Sequence, residues 1–398
     1  MTIDEKRIFR DIETIAGFND TAAEIGYSRP TFSAAWVAAR DYIIAEVQGA
    51  GCKVRFDAAG NLHARHASIP WDAKVWLSGS HIDSVPTGGK FDGVIGIVCP
   101  LEILRSAHDA SQVVPLELII FAEEEGTTFG LGMIGSRLWT NPGEAQHVDQ
   151  FKNRQGQTYF EAGTKQGVVR AKLIDDHFDP SRYHGFIEIH IEQGPAMWAE
   201  GIPLAVVTAI AGRKQFNAKF IGTPNHAGST PMRYRADPLL AAAKIISAVD
   251  ATAREAGPPT VATVGQIECL PNAVNVIPGM VRFTVDLRSP DVSILANCHQ
   301  KLEDAVTRSA STGFNFFVTE DQPPVSMDAG LINQLNKNTG SLTISGALHD
   351  AAILAPLLPT AMLFVASKDG ISHNPAEFSR MEDIADAARV LKKLVAKS

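Results

Sequence analysis

Short apolar runs alternate with stretches of helical period along this chain, and that alternation predicts its architecture. A Ser33 N-cap opens a helix through Trp36, Val37, Ile43, Ile44 and Val47, which ends at Gly49-Ala50-Gly51. Lys53–Phe56 and Leu62–Arg65 read as a strand pair joined by Gly60-Asn61, and Val75–Leu77 as a buried strand. A helix follows over Val94–Ala107, with Pro100 expected to kink it, then the strand Leu116–Ala122. Residues 140–184 are polar and irregular and read as helical insertions. Phe186–Ile191 restores the core pattern, with Glu188, His190 and Glu192 on one face and Ile187, Ile189 and Ile191 on the other. The fold class is α/β: a mixed sheet sandwiched by helices.

The pattern changes near Gly212. From there to about Gln322 the order is strand, helix, strand, strand, helix, strand, and Asp237-Pro238 gives the first helix a strong start. Two such halves make a ferredoxin-like α+β unit. Pro323-Pro324 then marks a return to the first domain, which closes with a strand at Ala361–Val365 and a helix from Met381. The expected boundaries are 1–211 and 327–398 for one catalytic domain, interrupted by a lid or dimerisation domain at 212–326.

Composition narrows the function classes. Of 398 residues, 45% are hydrophobic and 20% charged, as in a soluble globular protein, and the formal net charge is −8. That balance, without any Lys/Arg run, argues against nucleic acid as a partner. The start Met1-Thr2-Ile3-Asp4-Glu5-Lys6-Arg7 lacks the apolar centre of a signal peptide. The apolar run Val94–Leu104 is broken by Pro100 and Glu102 and is too short to span a bilayer. Cys52, Cys99, Cys269 and Cys298 are scattered, without zinc or disulfide spacing, which fits a reducing cytoplasm.

The chemistry concentrates in a few segments. The strand at Val75 runs into Gly79-Ser80-His81-Ile82-Asp83, and Gly88-Gly89-Lys90-Phe91-Asp92-Gly93 follows; imidazole and carboxylate are ligands of borderline dications. The strand Leu118–Phe121 ends in Glu123-Glu124-Glu125-Gly126, like charges that need a cation or protonation to coexist. His190-Ile191-Glu192-Gln193, Asn225-His226-Ala227-Gly228 and Ser372-His373-Asn374-Pro375 place three more histidines at strand ends or turns. His63, His66, His108, His147, His177, His184 and His299 read as surface or packing residues, and His349 is left unassigned.

With Pro271-Asn272-Ala273-Val274-Asn275 and Asp286-Leu287-Arg288, these motifs stand in order over nearly the whole chain. The chain resembles the hydantoinase/carbamoylase amidases, within the group of two-metal aminoacylases and carboxypeptidases. The resemblance implies a two-metal aminopeptidase-like catalytic domain with an inserted lid and a homodimer built through it. It implies two divalent ions per subunit, zinc or else manganese, cobalt or nickel. Asp92 bridges them. His81 and His190 complete one site or share the pair, and Glu125 with His373 complete the other. Glu124 is the implied general base, and Asp83 the carboxylate orienting His81. His226, Asn275 and Arg288 hold the substrate, with Gln193 and Gln215 as further polar contacts.

Two dications carry more positive charge than Asp92, Glu125 and a bridging hydroxide remove, which leaves charge to stabilise an oxyanion and keep Glu124 ionised. The implied reaction is hydrolysis of the ureido C–N bond of an N-carbamoyl-L-amino acid by metal-activated hydroxide. Allantoate amidohydrolase is the nearest alternative. An N-acyl amino acid hydrolase, a dipeptidase or a non-catalytic metal-binding protein lies further off. Thr128 stands where the family usually has arginine, and Leu348 where it has glycine, so the substrate is the part of the assignment these departures touch first.

Overall fold

Four parallel strands carry the centre of the first unit. In a computed structural model, which describes residues 1–22, 25–309 and 313–396, contacts divide the chain into one unit at 1–208 with 327–398 and a second at 209–326. The first crossing falls three residues before the Gly212 read from sequence.

The main sheet of the first unit runs, in spatial order, Cys52–Phe56, Leu62–His66, Leu116–Phe121, Val75–His81, Tyr183–Ile191, Thr360–Val365 and Leu204–Ile210. The hairpin at 52–66 is antiparallel, as is the pairing of Leu62–His66 with Leu116–Phe121. From Leu116–Phe121 through Thr360–Val365 the neighbours are parallel. Leu204–Ile210 adds antiparallel to that edge, so the sheet is mixed.

These central strands are rich in apolar residues because they are covered on both sides, and all four are buried except for His184, with Glu117, Glu188 and His190 among the buried positions. Helices Val94–Asp109 and Met381–Val395 pack onto the sheet and against each other, and Glu5–Gly17 packs on both. The first of these is a continuous helix through Pro100. It lies close to the sheet because an added Cβ on Gly96 would sit 2.6 Å from the Ile189 carbonyl oxygen and from Ser80 Cβ. The polar stretch after Phe121 forms short helices at Ile134–Thr140, Ala145–Val148 and Tyr159–Gly163.

The second unit is an antiparallel sheet in the order Ile267–Leu270, Met280–Ser289, Gly212–Ile221, Gly313–Gln322, with Val261–Thr263 also pairing Met280–Ser289. Helices Pro238–Ala256 and Val292–Arg308 cover it, capped by the Asp237 and Asp291 carboxylates. Phe216, Phe220, Ile245, Val249, Phe283, Leu295 and Leu302 form its core. This strand order is that of the split βαβ fold.

Candidate metal centre

Parallel strands place their carboxyl ends on one edge, and that edge is where open α/β sheets bind ligands. Here it collects the ends at His81, Phe121, Ile191 and Val365, with His81 in register with Phe121 and His190 with Phe364. Every segment singled out in the first unit therefore leaves the sheet at one place.

Asp92 is the centre of the cluster. Its Oδ1 lies 3.1 Å from His190 Nε2 and 3.6 Å from His81 Nε2. Its Oδ2 lies 3.3 Å from His373 Nε2, and that same nitrogen is 3.7 Å from Glu125 Oε2. One carboxylate thus offers an oxygen to each of two compact donor groups, His81–Asp92–His190 and Asp92–Glu125–His373. Gln193 Nε2 donates to Asp92 Oδ2 at 2.8 Å.

The tautomers suit cation binding. His81 Nδ1 is 2.9 Å from the Asp83 carbonyl oxygen and His190 Nδ1 is 3.0 Å from that of Ile191. A carbonyl only accepts, so Nδ1 carries a proton in both rings, and Nε2 is the nitrogen turned toward Asp92, where a dication would displace any proton it holds. Glu125 Oε1 is buried with no hydrogen-bond partner. Three imidazole nitrogens and two carboxylates, one of them with an orphaned oxygen, fit a pair of divalent ions.

Electrostatics point the same way. Burial, with help from Asp92, pushes the Glu125 carboxyl up to about 8. Burial together with Glu125, Asp350 and Asp83 holds Glu124 well above the usual carboxylate range, against the pull of His81. Asp92 is also buried, yet hydrogen bonds with His190, His373 and His81 hold it well below that range. Bound cations would restore the charge on both glutamates.

The acidic triplet divides its labour. Glu123 adopts φ 57° and its Oε1 accepts from the backbone of Thr128 and Phe129, each at 2.9 Å, so it ties the following turn. Glu124 faces His81, with 3.6 Å between Oε2 and Nε2. Asp83 contacts His81 through its carbonyl, its Oδ1 lies 3.7 Å from the same Nδ1, and its carboxylate oxygens also accept from the backbone N–H groups of Glu124 and Glu125 at 3.3 and 3.1 Å. Glu123, Gln193 and His373 all have left-handed backbone, at φ 57°, 57° and 53°. Such strain concentrates where a site over-determines the chain.

Other residues of these motifs take supporting places. Glu188 is buried and accepts from Ser80 Oγ at 2.8 Å and the Ala351 N–H at 3.0 Å. Glu192 lies beyond the strand and accepts from the Met197 N–H. His349 stacks edge-on to His190, ring centres 4.4 Å apart, and its Nε2 lies 2.9 Å from Ser345 Oγ. His63, read as a packing residue, is wholly buried between Glu117 and Asp57, at 2.8 and 3.2 Å. Glu377, which no sequence pattern marked, accepts from the backbone of Phe91 and Asp92.

The remaining predicted residues belong to the second unit. His226 is exposed on a two-residue strand paired with Val276–Ile277, and its Nδ1 accepts from the N–H groups of Gly228 and Ser229 at 3.0 and 3.1 Å. Its proton is therefore on Nε2, an outward donor. Asn275 is exposed beside it, and its carbonyl accepts from the Ala227 N–H at 2.9 Å. Arg288 and Gln215 converge on Asp286, with Arg288 Nε donating to Oδ1 at 2.7 Å and Gln215 Nε2 to Oδ2 at 3.1 Å.

A profile of peptidase family M20/M25/M40 matches residues 77–397, most of the chain. The chain belongs to this family. Over 92% of its length it is 35% identical to an N-carbamoyl-L-amino acid amidohydrolase of Geobacillus stearothermophilus, covering 92% of that protein. It is 34% identical to the allantoate amidohydrolase of Escherichia coli, covering 92% of this chain and 91% of the other. A crystal structure of a hydantoinase/carbamoylase family amidase from Burkholderia multivorans superposes with a TM-score of 0.91 at 34% identity, over 100% of this chain and 98% of that one. The resemblance drawn from the motifs thus holds at the level of family and fold.

Proposed function

We propose that this family member is a metal-dependent amidohydrolase that cleaves the ureido C–N bond of N-carbamoyl-L-amino acids. The observation that carries the reading is the single Asp92 carboxylate set between two imidazole–carboxylate groups. His81, His190 and Asp92 would hold one dication, and Asp92, Glu125 and His373 the other. Such ions supply Lewis acidity toward a carbonyl oxygen and lower the pKa of water.

The chain's own groups do the rest. Glu124 takes a proton from the attacking water and returns it to the departing nitrogen, which requires a carboxylate that is ionised but poorly solvated. Asp83 holds the loop bearing Glu124 and Glu125 in place. His226 donates from Nε2 to the developing oxyanion. Asn275, Arg288, Gln193 and Gln215 bind the substrate, with the Arg288 guanidinium, oriented by its bonds to both Asp286 oxygens, supplying positive charge for its carboxylate. One water is consumed. The carbamate fragment released breaks down to ammonia and carbon dioxide, and the amino acid is freed.

The protein works as a homodimer formed through the second unit. The four free thiols suit a reducing cytoplasm. Allantoate is the second reading, favoured by the equally similar relative that hydrolyses it. The test is a panel of N-carbamoyl-L-amino acids and allantoate with zinc-, manganese-, cobalt- or nickel-reconstituted protein. Ammonia with stoichiometric free amino acid supports the first reading. Ammonia from allantoate alone replaces it with the second.

A further inference from the structure

Glu377 is a carboxylate 285 residues from its partner Asp92, in a loop after the last sheet strand, and only 3% exposed. A buried carboxylate is costly unless its oxygens are satisfied. Both oxygens of this one turn toward Asp92. Oε1 accepts from the N–H groups of Phe91 and Asp92, at 2.8 and 3.1 Å. Oε2 accepts from the Ser372 hydroxyl at 3.1 Å, and the same hydroxyl lies 3.3 Å from Asp92 Oδ2. Glu377 therefore reaches Asp92 through its backbone N–H, and it shares with the Asp92 carboxylate the single proton of Ser372.

The opposite wall is shaped to admit it. A Cβ added to Gly89 would lie 2.2 Å from Glu377 Cδ and Oε1. The glycine at 89 leaves the volume that the glutamate fills. Glu377 also sits in the loop that carries His373, so one carboxylate ties a ligand of one donor group to the residue shared by both.

We infer that Glu377 is a positioning residue that fixes Asp92 in the orientation needed to serve two dications at once, an inference that rests on the dinuclear reading of the site. Its work is done by accepting hydrogen bonds rather than by its charge. Outer partners of metal ligands typically change affinity by about 10–100-fold when removed.

The experiment measures binding of Mn²⁺ and Zn²⁺ to metal-stripped protein by calorimetry, with melting of the stripped protein as a fold control. Glu377→Ala should weaken both ions about 10–100-fold. Glu377→Asp, too short to keep both oxygens on these partners, should weaken both as well. Glu377→Gln retains an acceptor for the two N–H groups and should bind within about threefold of the parent, since the geometry is preserved. If the alanine variant does not fold, the contrast between Asp and Gln carries the test. An aspartate variant binding as tightly as the parent overturns the inference, and so does a glutamine variant as weak as the aspartate one. Parent protein that takes up no pair of dications refutes the dinuclear reading itself, a separate outcome.

Discussion

His190 and His373 approach opposite oxygens of Asp92, at 3.1 Å from Oδ1 and 3.3 Å from Oδ2. One short side chain thereby joins a strand end to a loop distant in sequence. The arrangement makes Asp92 the residue whose loss should be felt at both metal positions.

Asp92→Ala should therefore bind neither dication tightly, whereas His373→Ala should lose chiefly one. Elemental analysis of metal per subunit after dialysis checks this. Two tightly held ions in Asp92→Ala would remove Asp92 from the bridging role.

Glu124→Gln keeps the shape of the site and both donor groups but cannot take a proton. Metal content should be unchanged while turnover falls by about 10²–10⁴-fold. Activity near that of the parent protein would assign the proton transfer elsewhere.

Homodimers in which His226 serves the partner's site make a distinctive prediction. Glu124→Gln and His226→Ala proteins, each nearly inactive alone, should regain about a quarter of parental activity after random subunit exchange. Native mass spectrometry would establish the exchange. Exchange without rescue would mean that each site is built from one chain.

The second buried cluster should govern stability rather than turnover. Glu117 accepts from Arg65, His63 and the Tyr183 hydroxyl, all buried. Burial opposes the charge on His63, but hydrogen bonds to Asp57 and Glu117 raise it above 6.5; burial likewise opposes Glu117, but His63 and Arg65 lower it below 4.5. The raised histidine contributes stability fully below 6.5 and loses it as pH rises through its folded value. The lowered glutamate contributes fully above 4.5 and loses it as pH falls through its folded value. Both terms are present between 4.5 and 6.5. Glu117→Gln leaves Arg65 buried without its counter-charge and should cost about 3–5 kcal/mol. Melting temperatures of parent and variant should differ most in that window, converge as pH falls through the folded value of Glu117, and keep the Arg65 share of the difference at higher pH.

Gly93 has φ +66°, and a Cβ there would lie 2.6 Å from His81 Cε1 and Nε2. Gly93→Ala should displace the imidazole and reduce metal content in a protein that still folds. Full metal content in that variant would show that His81 tolerates the displacement.

Element type and donor chemistry are local properties, and the sequence by itself determined them. The largely apolar stretches at 75–77 and 116–122 and the alternating one at 186–191 became buried strands because both faces of the parallel sheet are covered. The caps at Ser33 and Asp237 act within their own first turns. Histidines and carboxylates in glycine-rich turns announced a metal site without any knowledge of pairing. Only the tertiary structure decided which oxygen of Asp92 faces which imidazole, because that depends on the order of four parallel strands joined by long crossovers. It also separated Glu123, which ties a turn, from Glu124 and Glu125, which face the site, although the three are adjacent and chemically identical. Glu377 stayed silent in the sequence for the same reason: its partners lie 285 and 286 residues away, and no periodicity within its own loop records them.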